Sequence, residues 1–93
     1  MGGTIVVHER QHGFDIEVSS AGRTTRHEVT VSAGFADRLG LGHVPPVELV
    51  RASFEFLLER EPASSILSTF DLEVIARYFP EYPAVIARRF GGG

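Results

Sequence analysis

The first third of the chain alternates between apolar and polar side chains, which is the pattern of β-strands with one buried face. Residues 4–9 (TIVVHE) are rich in β-branched side chains, residues 14–19 (FDIEVS) alternate strictly, and residues 24–31 (TTRHEVTV) alternate again. Short loops, each containing a glycine, separate the three runs. Because loops of this length join neighbouring antiparallel strands, we predict a three-stranded antiparallel β-meander over residues 4–31.

A long helix is predicted to cover one face of this meander. Two prolines set its start and Pro62 ends it, which gives a helix over Pro46–Glu61. Its apolar residues recur at every third or fourth position, as expected for a single buried stripe. The stripe consists of Val47, Val50, Phe54, Leu57 and Leu58, and it faces the side chains of Phe14, Ile16, Val18, Val29 and Val31 on the meander.

The region after this helix allows two interpretations. Asp71 can cap a helix over residues 72–79, which Pro80 would end. Residues 70–75 also alternate with the period of a strand, so a fourth strand is the competing interpretation. We prefer the helix because its apolar pattern continues as far as Pro80.

Two shorter helices complete the predicted second half. A short helix over residues 33–39 precedes the long one, and a last helix spans residues 84–90 before a flexible tail at 91–93. The predicted order is β-β-β-α-α-α, with the first helix short, followed by the short last helix at 84–90. This is an α+β fold in a single domain, residues 1–93, with a helical half at 33–90.

Composition narrows the classes of function. The net charge of −3 disfavours nucleic acid as a partner, because nucleic-acid binding leaves a basic footprint. The absence of Lys and Asn indicates a GC-rich, bacterial coding sequence. The absence of Cys excludes disulfides and thiolate chemistry. No apolar run reaches the roughly 18 residues of a membrane span, so we expect a cytoplasmic protein without a membrane partner.

The residue pattern predicts no catalytic site, no metal site and no cofactor. His8 and His12 are four positions apart, a spacing that places two side chains together on a helix and not on a strand and turn. His27 shares the parity of the buried meander face, where backbone would satisfy one of its nitrogens. No serine lies in a glycine-flanked nucleophile elbow. We expect a protein that is not an enzyme.

Several motifs carry a family resemblance. The stretches FLLEREP (56–62), FDL (70–72) and RYFPEY (77–82) resemble a set of small uncharacterised bacterial proteins with no assigned activity. Residues 26–61, with a strand, a short helix and a longer helix, resemble ribbon-helix-helix repressors and antitoxins. That resemblance implies that the outward strand residues Arg26, Glu28 and Thr30 face DNA.

The C-terminal sequence carries a third resemblance. A basic end that finishes in Gly92 and Gly93 resembles ubiquitin-like modifiers and sulfur carriers, whose terminal glycine is activated as an acyl group. Those families have strands after their central helix, whereas the second half of this chain is predicted to be helical. A cloning remnant is the alternative origin of the tail.

Aromatic and arginine residues crowd the C-terminal quarter, a composition typical of protein interfaces. We therefore predict a non-catalytic protein-binding or regulatory module, antitoxin-like in its role, that also forms a homodimer. The residues predicted to contact the partner are Arg77, Tyr78, Tyr82, Arg88 and Arg89.

Overall fold

The first three strands form the predicted antiparallel meander. In the computed structural model, which describes residues 3–20 and 22–91, β1 (Thr4–Arg10) pairs with β2 (Gly13–Ser20), and β2 pairs with β3 (Arg23–Thr30). The register pairs Arg10 with Gly13, so the first hairpin turns within two residues. The strands follow the sequence pattern because side chains alternate between a helix-covered face and an open face.

A fourth strand corrects the prediction of a three-stranded sheet. β4 (Thr69–Asp71) adds to β3 in parallel, so the sheet order is β1-β2-β3-β4. The N–H of Glu28 donates to the carbonyl of Ser68 (2.7 Å), and the N–H of Leu72 donates to the carbonyl of Thr30 (3.0 Å). The α+β class is confirmed, but the helix that was preferred from residue 72 is preceded by a strand.

Asp71 explains how strand and helix follow each other so closely. Its Oδ1 accepts the N–H of Glu73 (3.0 Å), which begins the next helix, and its Oδ2 accepts the hydroxyl of Thr30 on β3 (2.7 Å). The same carboxylate therefore fixes the end of β4 to the sheet and caps the helix, a position at which aspartate is among the preferred residues. Both sequence interpretations were partly right.

Four helices lie in the described part of the chain, together with a short 3-10 turn at Ala63–Ser65. Their bounds are α1 (Phe35–Arg38), α2 (Pro46–Leu58), α3 (Glu73–Tyr78) and α4 (Tyr82–Arg89). Each α-helix is found where the sequence predicted one, with ends displaced by a few residues. Within residues 3–20 and 22–91, no helix has both the length and the apolar composition required to cross a membrane.

The long helix α2 is buried on two faces. Toward the sheet, the ring of Phe54 lies 5.3 Å from the ring of His27 and 5.9 Å from that of Phe70. On the other side, the ring of Phe56 lies 5.8 Å from Phe79 and 5.1 Å from Tyr82. The helix is thus the middle layer of the molecule, between the sheet on one side and α3 and α4 on the other.

Candidate functional site

An apolar groove opens between the end of α2, the segment before β4, and α3. Its volume is about 330 Å³, at the lower end of the range for ligand pockets. We call it the α3 groove. The described residues that line it are Leu57, Glu61, Ser65, Ile66, Leu67, Phe70, Val74, Ile75, Tyr78 and Phe79.

Two large apolar side chains in the lining of this groove are exposed to solvent. Tyr78 is 66% exposed and Leu67 is 48% exposed, which makes them the two most exposed large apolar side chains in the described part of the chain. The third, Val6, is 38% exposed on β1 and does not line the groove. Single exposed apolar residues are ordinary, but two in the lining of one apolar groove are typical of a binding surface.

His27 fixes the backbone that presents Leu67. Its Nδ1 lies 2.8 Å from the carbonyl oxygen of Leu67, which can only accept, so Nδ1 carries the hydrogen and donates it. Its Nε2 lies 2.9 Å from the hydroxyl of Thr25, which donates to it in the neutral ring. Because the imidazole is 3% exposed and both nitrogens have partners, it acts as a buried link between β3 and the segment before β4.

The charge of the groove is carried by a carboxylate. Glu61 is the charged residue among the described lining residues; the other polar groups are the hydroxyls of Ser65 and Tyr78. Arg77, the neighbour of Tyr78 on α3, is exposed. The groove therefore presents hydrocarbon with one negative charge, which suits an apolar ligand that carries a positive group nearby.

The predicted partner surface is divided by the fold. Tyr78 lines the groove, whereas Arg88 and Arg89 lie on α4, which contributes no residue to the described lining. Arg89 forms an ion pair with Glu55 of α2. Tyr82 is 0% exposed, so its prediction as a surface residue was wrong.

Tyr82 is a core residue with a buried polar partner. The hydroxyl of Ser53 donates to the carbonyl of Leu49 (2.7 Å), which leaves the Ser53 oxygen to accept the hydroxyl of Tyr82 at 2.6 Å. Burial raises the pKa of Tyr82 from 10.0 to about 12, although the hydrogen bond with Ser53 opposes this effect. The position of Tyr82 was recoverable from the sequence, because Tyr82, Val85 and Ile86 recur at helical spacing.

The residues predicted to face DNA lie on the open face of the sheet. Arg26, Glu28 and Thr30 are all exposed. However, β3 is paired with β2 along one edge and with β4 at Glu28–Thr30 along the other. A ribbon formed by two β3 strands would therefore require β4 to leave the sheet.

The predicted modifier tail lies mostly outside the described residues, since these end at Gly91 and exclude Gly92 and Gly93. Gly91 has a positive φ of 78° and its N–H donates to the carbonyl of Arg88 (3.0 Å), which ends α4. The expectation that no strand follows the central helix was wrong, because β4 follows α2. β4 lies next to β3, the strand that immediately precedes the helical region.

The histidines do not converge. His8 and His12 are exposed, whereas His27 lies on the covered face of the sheet. No group of three or more His, Cys, Asp or Glu side chains in the described ranges has an arrangement suited to a metal ion.

Comparisons with known proteins give no relative from which a function can be transferred. No family model matches the chain, and no curated protein and no solved structure matches it significantly. The functional proposal therefore depends on the geometry of the chain itself.

Proposed function

We propose that the protein is a non-catalytic binding module that receives an apolar segment of a protein partner in the α3 groove. The observation that carries this proposal is the exposure of Tyr78 and Leu67 within an apolar concavity. Burial of both side chains by a partner would remove apolar surface from water at about 25 cal/mol per Å², so these two residues are the expected anchors.

The groove favours a partner segment with a basic residue. Glu61 has no ion-pair partner among residues 3–20 and 22–91. A Lys or Arg beside the apolar anchors of the partner would complement this carboxylate, and an Asp or Glu there would be repelled. We therefore expect recognition of an aliphatic or aromatic pair flanked by a basic residue.

Selection from a random peptide library displayed on phage, with the immobilised chain as bait, tests this function. Selected peptides should combine apolar residues with a basic one. On titration of a selected peptide, the largest NMR shifts should fall on Leu67, Val74 and Tyr78. The double substitution L67A/Y78A should weaken binding at least about tenfold, or 1.4 kcal/mol.

Two further variants make this test specific. Val6→Ala removes the third exposed apolar side chain, which lies outside the groove, and should leave peptide affinity unchanged. Glu61→Gln should reduce the preference for basic peptides without abolishing binding. Failure to select any peptide, or shifts centred on another surface, would overturn the proposal.

A further inference from the structure

The outer edge of β1 carries backbone groups that the sheet does not use. A two-residue hairpin closes on a hydrogen-bonded pair, here Arg10 with Gly13, and hydrogen bonding then alternates along the strand. The even-numbered residues of β1 therefore bond to β2, and the N–H and C=O groups of Ile5, Val7 and Glu9 point away from the sheet. The hydrogen bond from Arg51 Nη1 to the carbonyl of Ile5 (2.9 Å) agrees with this assignment.

This edge lacks three of the features that keep edge strands apart, although Glu9 and Arg10 place charge at its end. Natural edges are usually short, bulged, or interrupted by proline or charge. β1 is seven residues long, its register with β2 is unbroken from Thr4 to Arg10, and its apolar run Ile5-Val6-Val7 ends at the central residue of the strand. The opposite edge, β4, has only three residues. Of the two edges of the sheet, β1 is therefore the one long enough to pair with another strand.

A second copy of the same strand fits this edge in one favoured register. Two antiparallel β1 strands related by a twofold axis at Val7 overlap along their whole length, which no other register achieves. In this register Val7 faces Val7 of the second copy, and Ile5 faces Glu9 of the second copy. Both pairs join outward-pointing backbone groups and provide about six new hydrogen bonds, of which the two to the Ile5 carbonyls use the second lone pair of an oxygen that already accepts from Arg51.

Charge supports the same register. Glu9 shares the parity of Ile5 and Val7, so its side chain lies on the helix-covered side, where Arg51 reaches over the edge to Ile5. Neither Glu9 nor Arg51 has an ion-pair partner within residues 3–20 and 22–91. Two acidic residues line the same surface hollow as Arg51, and each is paired with another arginine: Glu55 with Arg89, and Glu59 with Arg60.

We propose that the protein forms a homodimer in which two β1 strands pair antiparallel about Val7, giving a continuous eight-stranded sheet across the two copies. Each Arg51 then binds Glu9 of the other copy, and the symmetry produces this contact twice. The exposed Val6 of each copy lies across from His8 of the other on the open face. The α3 groove is not part of this interface, so dimerisation and peptide binding are separable.

Charge reversal tests the interface in both directions. The wild-type chain should elute as a dimer in size-exclusion chromatography with light scattering. Glu9→Arg alone and Arg51→Glu alone each create two like-charge contacts and should raise the dimer dissociation constant at least about tenfold. An equimolar mixture of the two variants should dimerise again, because a mixed dimer contains one native and one reversed pair.

Matched controls separate this interface from general charge effects. Glu28→Arg, on the open face of β3, and Arg77→Glu, on α3, make the same charge changes away from the edge and should leave the dimer intact. The groove variant L67A/Y78A should also remain dimeric. Thermal denaturation shows whether each variant is folded. A wild-type chain that is monomeric at high micromolar concentration, or a mixture that fails to restore the dimer, would overturn the proposal.

Discussion

The hydroxyls of Ser53 and Tyr82 form a short chain that ends on the backbone of α2. Ser53 donates to the Leu49 carbonyl and accepts from Tyr82, and both side chains are fully buried. The two partners are not equivalent, because each substitution leaves a different atom unsatisfied. A hydroxyl that loses its acceptor inside the core costs more than an acceptor that loses one of its donors.

We expect Ser53→Ala to destabilise the fold by about 1–3 kcal/mol, since it leaves the Tyr82 hydroxyl buried without a partner. Tyr82→Phe should cost only about 0.5–1.5 kcal/mol, because Ser53 keeps its bond to Leu49. In the double variant the cost should be less than the sum of the two. Urea denaturation of the four chains measures these differences, and additive costs would show that the two hydroxyls do not interact.

The raised pKa of Tyr82 should also make the fold less stable at alkaline pH. Its pKa is raised to about 12 in the folded chain, from 10.0, mainly by burial. Above pH 10 the unfolded chain releases this proton more readily than the folded one, so stability falls as the pH rises from about 10 to about 12. Melting temperatures across this range should decline less steeply for Tyr82→Phe than for the wild type. Identical slopes would contradict the assignment.

The sequence predicted the secondary-structure elements correctly where their contacts are local, and it failed where their contacts are distant along the chain. Successive strands of the meander pair directly across short loops, so alternation, β-branched residues and the loop glycines located them. β4 has three residues, and its partner β3 lies about forty positions earlier. Nothing local distinguishes such a strand from the first turn of a helix, and Asp71 suits both. One wall of the α3 groove is the segment that leads into β4. Because the sequence analysis did not choose this strand, it predicted Tyr78 as a partner-binding residue but not Leu67.

At this junction we expect acid to weaken the link between β4 and α3. Partial burial alone would raise the pKa of Asp71, but hydrogen bonds from the Glu73 N–H and the Thr30 hydroxyl, with a further contribution from the nearby Ser32, outweigh it and lower the pKa below 3.8. The stabilisation is therefore complete above pH 3.8 and is lost as the pH falls through the lower, folded-state pKa.

The comparison of Asp71→Asn with the wild type tests whether the ionised carboxylate of Asp71 stabilises the fold. Asparagine can still cap α3 but carries no charge, so the wild type should be the more stable chain at neutral pH, and the difference should shrink below pH 3.8. Asp71→Ala, which also removes the cap, should cost about 1 kcal/mol at neutral pH. A difference between wild type and Asp71→Asn that is constant with pH would exclude a role for the charge.

At the scale of the whole molecule, α2 determines how the layers depend on one another. The sequence predicted one apolar stripe, and the structure adds a second face made of Leu49, Ala52, Ser53 and Phe56. This face was missed because Ala and Ser are small and weakly apolar, which leaves the pattern indistinct beside the stripe toward the sheet. Once both faces are buried, neither the sheet nor the α3–α4 layer has a core without the helix.

Unfolding should therefore be a single transition. Phe54→Ala opens a cavity on the sheet side and Phe56→Ala opens one on the α4 side, and each should cost about 3–5 kcal/mol, a large part of the total stability of about 5–15 kcal/mol for a domain of this size. Far-UV circular dichroism follows the backbone, and the near-UV signal of buried Tyr82 follows the α4 layer. Because α2 is shared, both signals should have the same midpoint in the wild type and should shift together in each variant. Loss of the Tyr82 signal before the backbone signal in Phe56→Ala would instead mean that the α4 layer separates while the sheet and α2 remain folded.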